Sequence, residues 1–455
     1  MRKMKAVFAA LAAVILLVSA CGAAGAEQGP RQILTAADAE EWLTVFLGRH
    51  PEALEGTWAV TPQMEEAAAQ AGGLRGFALQ MALMGGIREI GPAREGELQG
   101  YKTFRVPCIF LLQSVDLTLV VQDGALAGLR IDPFSGVPKP EDSAAFASAA
   151  LALPVPGLGE LPGLLTLPRG EGPFPAVVLL PGSGPSDMDE TVGNLKPFRD
   201  IAEGLAAQGI AAYRFHKRTY VYGAQLAEKK DFTLEDEYLE DAVSAVRLLS
   251  QQPGIDPDRI FVLGHSLGGN AVPAVARRLK QEGAQACGFI MMAASLRPLD
   301  VLMREQYDFL YSLMPEVTAA QQAEKDALFT ELDRLRDPES LAEDDMIAGA
   351  YAPYWKWLAG YDIRREAEEM DRPVLLLQGE EDYQVPMEDF RLWQEALGDQ
   401  SGWRMTAYPG LTHLFTPGRK TEGASAYARD GRVQEQVILD IASFILETGR
   451  PQARP

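Results

Sequence analysis

The sequence contains little histidine or cysteine, with only four histidines and three cysteines in 455 residues. No cluster of these residues has the ligand spacing of a zinc site. A metal centre built from several histidines therefore has few residues to use. We expect neither a metal nor another cofactor.

Positive charge is also scarce. The chain has 42 Lys and Arg residues against 63 Asp and Glu residues, which gives a formal net charge of -21 at pH 7. A protein that binds nucleic acid neutralises phosphates with a basic surface, so we expect no nucleic-acid partner and no anionic polymer as substrate. The length suggests a small domain together with a larger one.

The N-terminus begins with basic residues and continues with the apolar run Ala6–Val18. This layout predicts a secretory signal over residues 1–20, followed by a flexible tether of small residues over 21–35. Val18-Ser19-Ala20-Cys21 resembles the lipobox of bacterial lipoproteins. The resemblance implies that Cys21 is acylated and holds the protein outside the cytoplasm on the bacterial cell membrane. A plain signal peptide, or a membrane span with an incidental cysteine, is the alternative, although the run is short for a span.

Residues 36–135 predict a small α+β domain, because helical patterning comes first and alternating strands follow. A helix is predicted over Ala37–Leu47, and Asp123-Gly124 predicts a hairpin turn. The predicted strands are Thr103–Leu112, Ser114–Gln122 and Ala125–Ile131. This order resembles the nuclear-transport-factor-2-like domains that precede some bacterial hydrolases.

Residues 136–162 are rich in proline and glycine and are interpreted as a linker. From residue 163 to 450 strands and helices alternate, which predicts a doubly wound, mostly parallel sheet. The stretch 297–370 interrupts this alternation, and we expect it to form a helical cap over the active site. Its candidate pocket residues are Tyr307, Phe309, Tyr311, Tyr351, Tyr354, Trp355 and Trp357. Cys108 and Cys287 fall in different predicted domains, so a disulfide between them is doubtful.

Gly264-His265-Ser266-Leu267-Gly268 is a G-x-S-x-G pentapeptide. The pattern alone is weak, but here it follows an apolar strand and begins a helix, which is the setting of a nucleophile elbow. Glycines are needed there because the serine backbone is strained and its neighbours pass close to the adjoining strand and helix. Ser266 is therefore the candidate nucleophile.

A serine hydroxyl needs a base within hydrogen-bond reach. His413 lies in the loop between the last predicted strand and the last helix, the position that favours it over the other three histidines. The orienting acid should lie in the loop after the preceding strand, where Gly379-Glu380-Glu381-Asp382 points to Asp382. Glu381 is the rival.

Acyl transfer also needs backbone donors for the oxyanion. The N–H of Leu267, directly after the nucleophile, is one candidate. The N–H of Ser183, in the segment Pro181–Pro185 after an apolar strand, is the second; a plain Gly/Pro turn is the alternative reading of that segment.

Residues from about 160 to 447 resemble the α/β-hydrolase superfamily, nearest the bacterial esterases and dienelactone-hydrolase-like members. The resemblance implies a serine hydrolase that cleaves a carboxylic ester on a small molecule. A serine peptidase of the aminopeptidase type, a thioesterase and a lipid-anchored binding protein on the same fold remain as alternatives. Lys217 and Arg218 are open to two interpretations, as ligands of a substrate carboxylate or as a cationic surface turn. The sequence leaves the oligomeric state open.

Overall fold

A computed structural model of the protein describes residues 30–48, 51–70, 72–81, 87–110, 114–134 and 142–448. The predicted signal segment and Cys21 lie outside the described residues. The chain divides into two compact units, Met1–Gly136 and Val137–Pro455.

The first unit combines helices with an antiparallel sheet, as the α+β prediction requires. Its helices are α1 (Ala36–Phe46), α2 (Pro62–Gln70) and α3 (Gly73–Met81), with a 3-10 turn at Pro51–Leu54. Its strands are β1 (Ile87–Ile90), β2 (Arg94–Leu98), β3 (Tyr101–Phe110), β4 (Ser114–Gln122) and β5 (Ala125–Pro133). The order is β1-β3-β4-β5, and β2 also pairs with β3.

Local chemistry in this unit explains where its elements begin and turn. Thr35 caps α1, since its hydroxyl accepts the Asp38 N–H while the Asp38 carboxylate accepts the Thr35 N–H. Asp123 and Gly124 both have positive φ, 50° and 80°, which is the backbone of a tight two-residue hairpin between β4 and β5. The predicted hairpin is confirmed.

The second unit is built on an eight-stranded sheet in the order β17-β16-β13-β12-β10-β11-β9-β6. The six strands from β17 to β11 are parallel, and β9 and β6 join the edge in antiparallel pairings. Its strands are β6 (Phe146–Ala150), β9 (Gly163–Pro168), β10 (Phe174–Leu180), β11 (Ala211–Phe215), β12 (Ile255–His265), β13 (Gly288–Met292), β16 (Val374–Gly379) and β17 (Trp403–Tyr408). This is the predicted doubly wound, mostly parallel sheet.

The linker prediction for residues 136–162 is wrong over most of its length. Phe146–Ala150 forms β6 and pairs with β9, so it belongs to the large sheet. Two short strands, β7 (Leu153–Val155) and β8 (Gly159–Leu161), form a separate hairpin. Pro156 and Gly157 lie in the turn of this hairpin, and Leu153 and Leu161 are fully buried in the core.

Both faces of the large sheet are buried, which is why its strands are continuous apolar runs. In β10, Val177 and Leu179 pack into one core, while Val178 and Leu180 pack into the core on the other face. The surrounding helices are α4 (Pro197–Ala207), α5 (Arg218–Val221), α6 (Gly223–Leu226), α7 (Glu240–Ser250), α8 (Leu267–Gln281), α13 (Met387–Leu397) and α14 (Glu435–Thr448). A π-helical turn, Glu235–Leu239, precedes α7.

The stretch between β13 and β16 is mostly helical, as predicted, and is called the insertion from here on. It contains α9 (Leu299–Ser312), α10 (Ala319–Asp333), α11 (Ala352–Gly360), α12 (Ile363–Glu368) and a small hairpin of β14 (Met346–Ile347) and β15 (Ala350–Tyr351). Two 3-10 turns, Arg334–Arg336 and Pro338–Ser340, follow α10, and a third 3-10 segment, Lys420–Ala428, follows β17. Within the described ranges, no helix is long and apolar enough to cross a bilayer.

Candidate active site

Ser266 stands at the turn from β12 to α8 in a strained conformation, with φ 54° and ψ −121°. A Cβ at Gly264 would come within 2.2 Å of the Gly268 carbonyl oxygen, and one at Gly268 within 2.4 Å of the Leu180 oxygen. Both positions therefore require glycine. The Ser266 N–H donates to the Met292 carbonyl at 2.8 Å, which fixes the turn against β13.

His413 and Asp382 meet at the same edge of the sheet. Asp382 follows β16 and His413 follows β17, and His413 Nδ1 lies 2.7 Å from Asp382 Oδ2. Both side chains are buried. Asp382 Oδ1 accepts the N–H groups of Gln384 and Val385, at 2.7 and 3.0 Å, so the carboxylate has one orientation.

The two neighbouring acids have other surroundings. Glu380 is exposed. Glu381 is partly buried, and its Oε2 accepts the Lys420 N–H at 3.0 Å. Of the three acids, Asp382 is the one that contacts His413 in the described part of the chain.

The proposed oxyanion donors lie beside the serine. Ser183 and Leu267 both line the cavity that contains Ser266. Leu267 is the first residue of α8, so its N–H has no intrahelical acceptor.

The carbonyl groups of the Pro181–Pro185 loop are held by Lys217. Its Nζ donates to Gly182 O at 2.8 Å and to Gly184 O at 3.1 Å, and the Tyr238 hydroxyl donates to Gly182 O at 2.7 Å. In a trans peptide the N–H points away from the preceding C=O. Fixing the Gly182 carbonyl on one side therefore turns the Ser183 N–H to the other side.

Neither interpretation of Lys217 and Arg218 from the sequence was right, because both side chains are buried. Lys217 forms an ion pair with Glu237. Burial lowers the pKa of Lys217 in spite of that carboxylate. Arg218 donates from Nε and Nη2 to Asp241, at 2.9 and 2.7 Å. Both side chains form internal ion pairs, and the segment that contains them is not a cationic surface turn.

His265 and Glu190 form a buried pair under the nucleophile that sequence reasoning missed. His265 Nδ1 lies 2.8 Å from Glu190 Oε1, and His265 Nε2 lies 2.9 Å from the backbone oxygen of His413. Glu190 Oε1 also accepts the Gly182 N–H at 2.6 Å. The sequence placed His265 in the elbow, but it gave no signal for a partner 75 residues away.

A cavity of about 530 Å³ opens at Ser266 and is walled largely by apolar side chains. The insertion contributes Leu299, Leu302, Met303, Tyr307, Tyr351, Tyr354 and Trp355. Four of the seven aromatic candidates therefore line it. Phe309 instead stacks on Tyr383, the Tyr311 hydroxyl bonds to Gln321 O, and Trp357 packs on Tyr361.

The charges at the cavity are already paired. Glu237 is the acidic wall residue, and it binds Lys217 through Oε1 while its Oε2 accepts the Tyr354 hydroxyl at 2.6 Å. Lys229 is the basic wall residue and pairs with Asp236. No group of His, Cys, Asp and Glu in the described ranges is arranged to hold a metal ion.

A mostly parallel sheet, a serine on a strained strand-to-helix turn and an acid–histidine pair after later strands define the α/β-hydrolase fold, and the second unit has this fold. A family model described as serine aminopeptidase, S33, matches residues 191–417.

Two relatives and one solved structure complete the comparison. The chain is 37% identical over 287 residues to Esterase EstD of Thermotoga maritima. The aligned region covers 63% of this chain and 66% of Esterase EstD, just under two thirds of its length. It is 27% identical over 257 residues to the uncharacterized peptidase YtmA of Bacillus subtilis, covering 56% of this chain and 82% of YtmA. The structure of Est1E from Butyrivibrio proteoclasticus superposes with a TM-score of 0.44 at 17% identity, covering 66% of this chain and 98% of Est1E.

Proposed function

We propose that the protein is a serine carboxylesterase that works through an acyl-enzyme. The observation that carries the proposal is the 2.7 Å hydrogen bond between Asp382 and His413, at the sheet edge where Ser266 borders an apolar cavity. The similarity to a protein named as an esterase supports the reaction class.

In the acylation step Ser266 Oγ attacks the ester carbonyl carbon while its proton passes to His413 Nε2. Asp382 accepts a hydrogen bond from the Nδ1–H of His413, which keeps Nε2 free as the base and stabilises the imidazolium that forms. The N–H groups of Ser183 and Leu267 stabilise the negative oxygen of the tetrahedral intermediate. When this intermediate collapses, the carbon–oxygen bond to the alcohol breaks and the alcohol takes the proton from His413.

Deacylation repeats these roles with water. His413 removes a proton from a water molecule, whose oxygen attacks the acyl carbon of the Ser266 ester. Collapse releases the carboxylic acid and returns the proton to Ser266 Oγ.

The cavity favours a neutral ester over the substrate of an aminopeptidase. An aminopeptidase must bind the free ammonium group of its substrate, which calls for an unpaired carboxylate. Glu237 is already bound to Lys217 and Tyr354. The apolar wall suits an uncharged acyl group, whose burial is worth about 0.8 kcal/mol per CH₂.

The test is a panel of p-nitrophenyl esters of increasing acyl length, the matching thioesters and aminoacyl amides. We expect ester hydrolysis to dominate and Ser266→Ala to lower kcat by at least about 10³-fold. Ser312→Ala, which alters an exposed serine at the end of α9, is the matched control and should be unchanged. A serine-directed phosphonate should label wild type and fail to label Ser266→Ala. A folded wild-type chain without turnover or labelling would favour the binding-protein alternative.

We further propose that Cys21 carries a lipid that holds the protein outside the cytoplasm on the cell membrane. We also propose that the first unit is a nuclear-transport-factor-2-like domain without chemistry, which acts as a spacer or a recognition module. Two acyl chains anchor a protein far more firmly than one. Cys21→Ser should move the protein from the membrane to the soluble fraction after osmotic lysis. Retention of the variant in the membrane fraction would refute the anchor.

A further inference from the structure

Both ring nitrogens of His265 face hydrogen-bond acceptors. Nε2 lies 2.9 Å from the backbone oxygen of His413, and a carbonyl oxygen can only accept. Nδ1 lies 2.8 Å from Glu190 Oε1, which already accepts the Gly182 N–H. A neutral imidazole has one N–H, so satisfying both contacts requires one further proton, carried either by Nδ1 or by Glu190 Oε1.

The extra proton belongs on His265 because imidazole is the stronger base. The ordinary pKa values of histidine and glutamate are about 6.5 and 4.3, so the proton shared by the pair resides mainly on the ring. Both side chains are buried, His265 with 4% and Glu190 with 5% of its surface exposed. A buried charge is stabilised by an opposite charge and by hydrogen bonds, and His265 and Glu190 Oε1 supply both to each other, while Glu190 Oε2 is buried without a hydrogen-bond partner among the described residues.

The groups that face His265 come from three loops. Glu190 approaches from the loop before α4, Asp382 from the loop after β16, and the His413 ring from the loop after β17, with its centroid 4.6 Å from that of His265. The uncharged Phe415 ring closes the remaining side. Burial disfavours the charged ring, but the charge and hydrogen bond of Glu190, together with the His413 carbonyl and Asp382, outweigh it and raise the pKa of His265.

The His265–Glu190 pair connects the loop that contains Gly182 with the loop that contains His413, and both loops must be positioned correctly relative to Ser266. A continuous chain of hydrogen bonds runs from the Gly182 N–H through Glu190 and His265 to the backbone of His413. Glu190 adopts φ 52°, a strained value for a residue other than glycine, so the surrounding contacts hold it in place.

We infer that His265, held as an imidazolium by Glu190, is a positioning residue that fixes the backbone of His413 relative to the Pro181–Pro185 loop, called the oxyanion loop from here on. Loss of the His265 proton at alkaline pH then disables the site. This inference rests on the proposed function. When the His265 ring becomes neutral, it loses one of its two N–H groups and therefore one of its two hydrogen bonds. If that contact is Nε2, its lone pair faces the lone pairs of the His413 carbonyl, and the base is pushed out of position.

The sign of the pH dependence follows from the direction of the shift. Because the pKa of His265 is raised in the folded state, its charged form contributes fully below the ordinary histidine range. The contribution is lost as the pH rises through the folded-state value.

The first test is nitrogen NMR of the full-length protein labelled at its four histidines. The resonances that vanish in His265→Gln assign this residue. We expect both ring nitrogens of His265 to be protonated at pH 7. A single unprotonated ring nitrogen at that pH would overturn the inference. The measurement needs no turnover, so a failure of the proposed esterase function is distinguishable from a failure here.

The second test is kinetic and uses Glu190→Gln, which keeps an acceptor for the Gly182 N–H and removes the charge. A neighbouring opposite charge shifts a pKa by about 1–3 units. In a plot of kcat against pH, we expect the alkaline fall in kcat, called the alkaline limb, to occur at a pH at least about one unit lower than in wild type, with KM changed less than about threefold. Glu381→Gln removes a nearby carboxylate that bonds to Lys420 and should leave the limb in place. A Glu190→Gln protein with an unshifted alkaline limb, or one that does not fold while the NMR shows a neutral His265, would refute the inference.

Discussion

The Tyr354 hydroxyl donates to Glu237 Oε2 at 2.6 Å, and this bond ties the insertion to the oxyanion loop. Glu237 pairs with Lys217, and Lys217 donates to the carbonyls of Gly182 and Gly184. A wall of the cavity is thus joined through two side chains to the peptide that presents the Ser183 N–H. A residue that lines the cavity and the peptide proposed to stabilise the oxyanion therefore share one network of hydrogen bonds.

Tyr354→Phe should weaken this link without altering the shape of the wall. The change leaves the Glu237 Oε2 buried without that donor, which costs about 1–3 kcal/mol of folding free energy. We expect a lower midpoint of thermal unfolding and a kcat reduced several-fold. Tyr351→Phe changes a cavity residue of the same type and is the control; equal effects of the two variants would contradict the link.

Lys217→Met should be more damaging, because it leaves the Glu237 carboxylate buried without its ion pair. Breaking a buried pair costs about 3–5 kcal/mol. The double variant Lys217→Met/Glu237→Gln should recover most of the stability in denaturant unfolding. It should not recover kcat, since Gly182 O and Gly184 O still lack the Lys217 donor. Recovery of both quantities together would show that Lys217 has only a structural role.

Chain-length preference should depend on the free volume beside Met303, a wall residue from α9. Met303→Trp fills part of the cavity. We expect kcat/KM for long acyl chains to fall by about tenfold or more while acetate esters change little, since each excluded CH₂ forfeits about 0.8 kcal/mol. Met314→Trp alters a methionine that is not among the cavity residues, and its acyl-length profile should match wild type.

The sequence predicted the parts of the site that follow from local pattern. The elbow around Ser266 and the loop position of Asp382 could be predicted because each follows an apolar strand, and His413 could be predicted because its loop lies between the last strand and the last helix. The partners of Lys217 and His265 could not be predicted. A sequence does not distinguish a buried cationic side chain from an exposed one, and the fold brings each of these residues to its carboxylate. Glu237 lies 20 residues after Lys217, and Glu190 lies 75 residues before His265.

The linker error has a similar physical origin. Phe146–Ala150 is a weak strand by composition, with three alanines and one serine, and it exists because β9 offers it an open edge. Pairing of this kind depends on tertiary context, so the strand was interpreted as part of a Pro- and Gly-rich connection.

The last prediction concerns the acid that orients His413. Asp382→Asn should preserve the fold, because Oδ1 can still accept the N–H groups of Gln384 and Val385. The amide that replaces Oδ2 would donate toward Nδ1 and favour the wrong tautomer of His413, with the proton on Nε2. We therefore expect kcat to fall by about 10³–10⁴-fold.

The matched variant is Glu381→Gln, which changes the same functional group one residue away. Its carboxylate accepts the Lys420 N–H, whereas His413 Nδ1 is bonded to Asp382, so kcat should stay within a few-fold of wild type. Circular dichroism should show that both variants are folded, and kcat on one p-nitrophenyl ester gives the comparison. Near-full activity of Asp382→Asn together with an inactive Glu381→Gln would assign the orienting role to Glu381, because only the acid that accepts a hydrogen bond from the Nδ1–H can set which nitrogen of His413 is free to take the proton of Ser266.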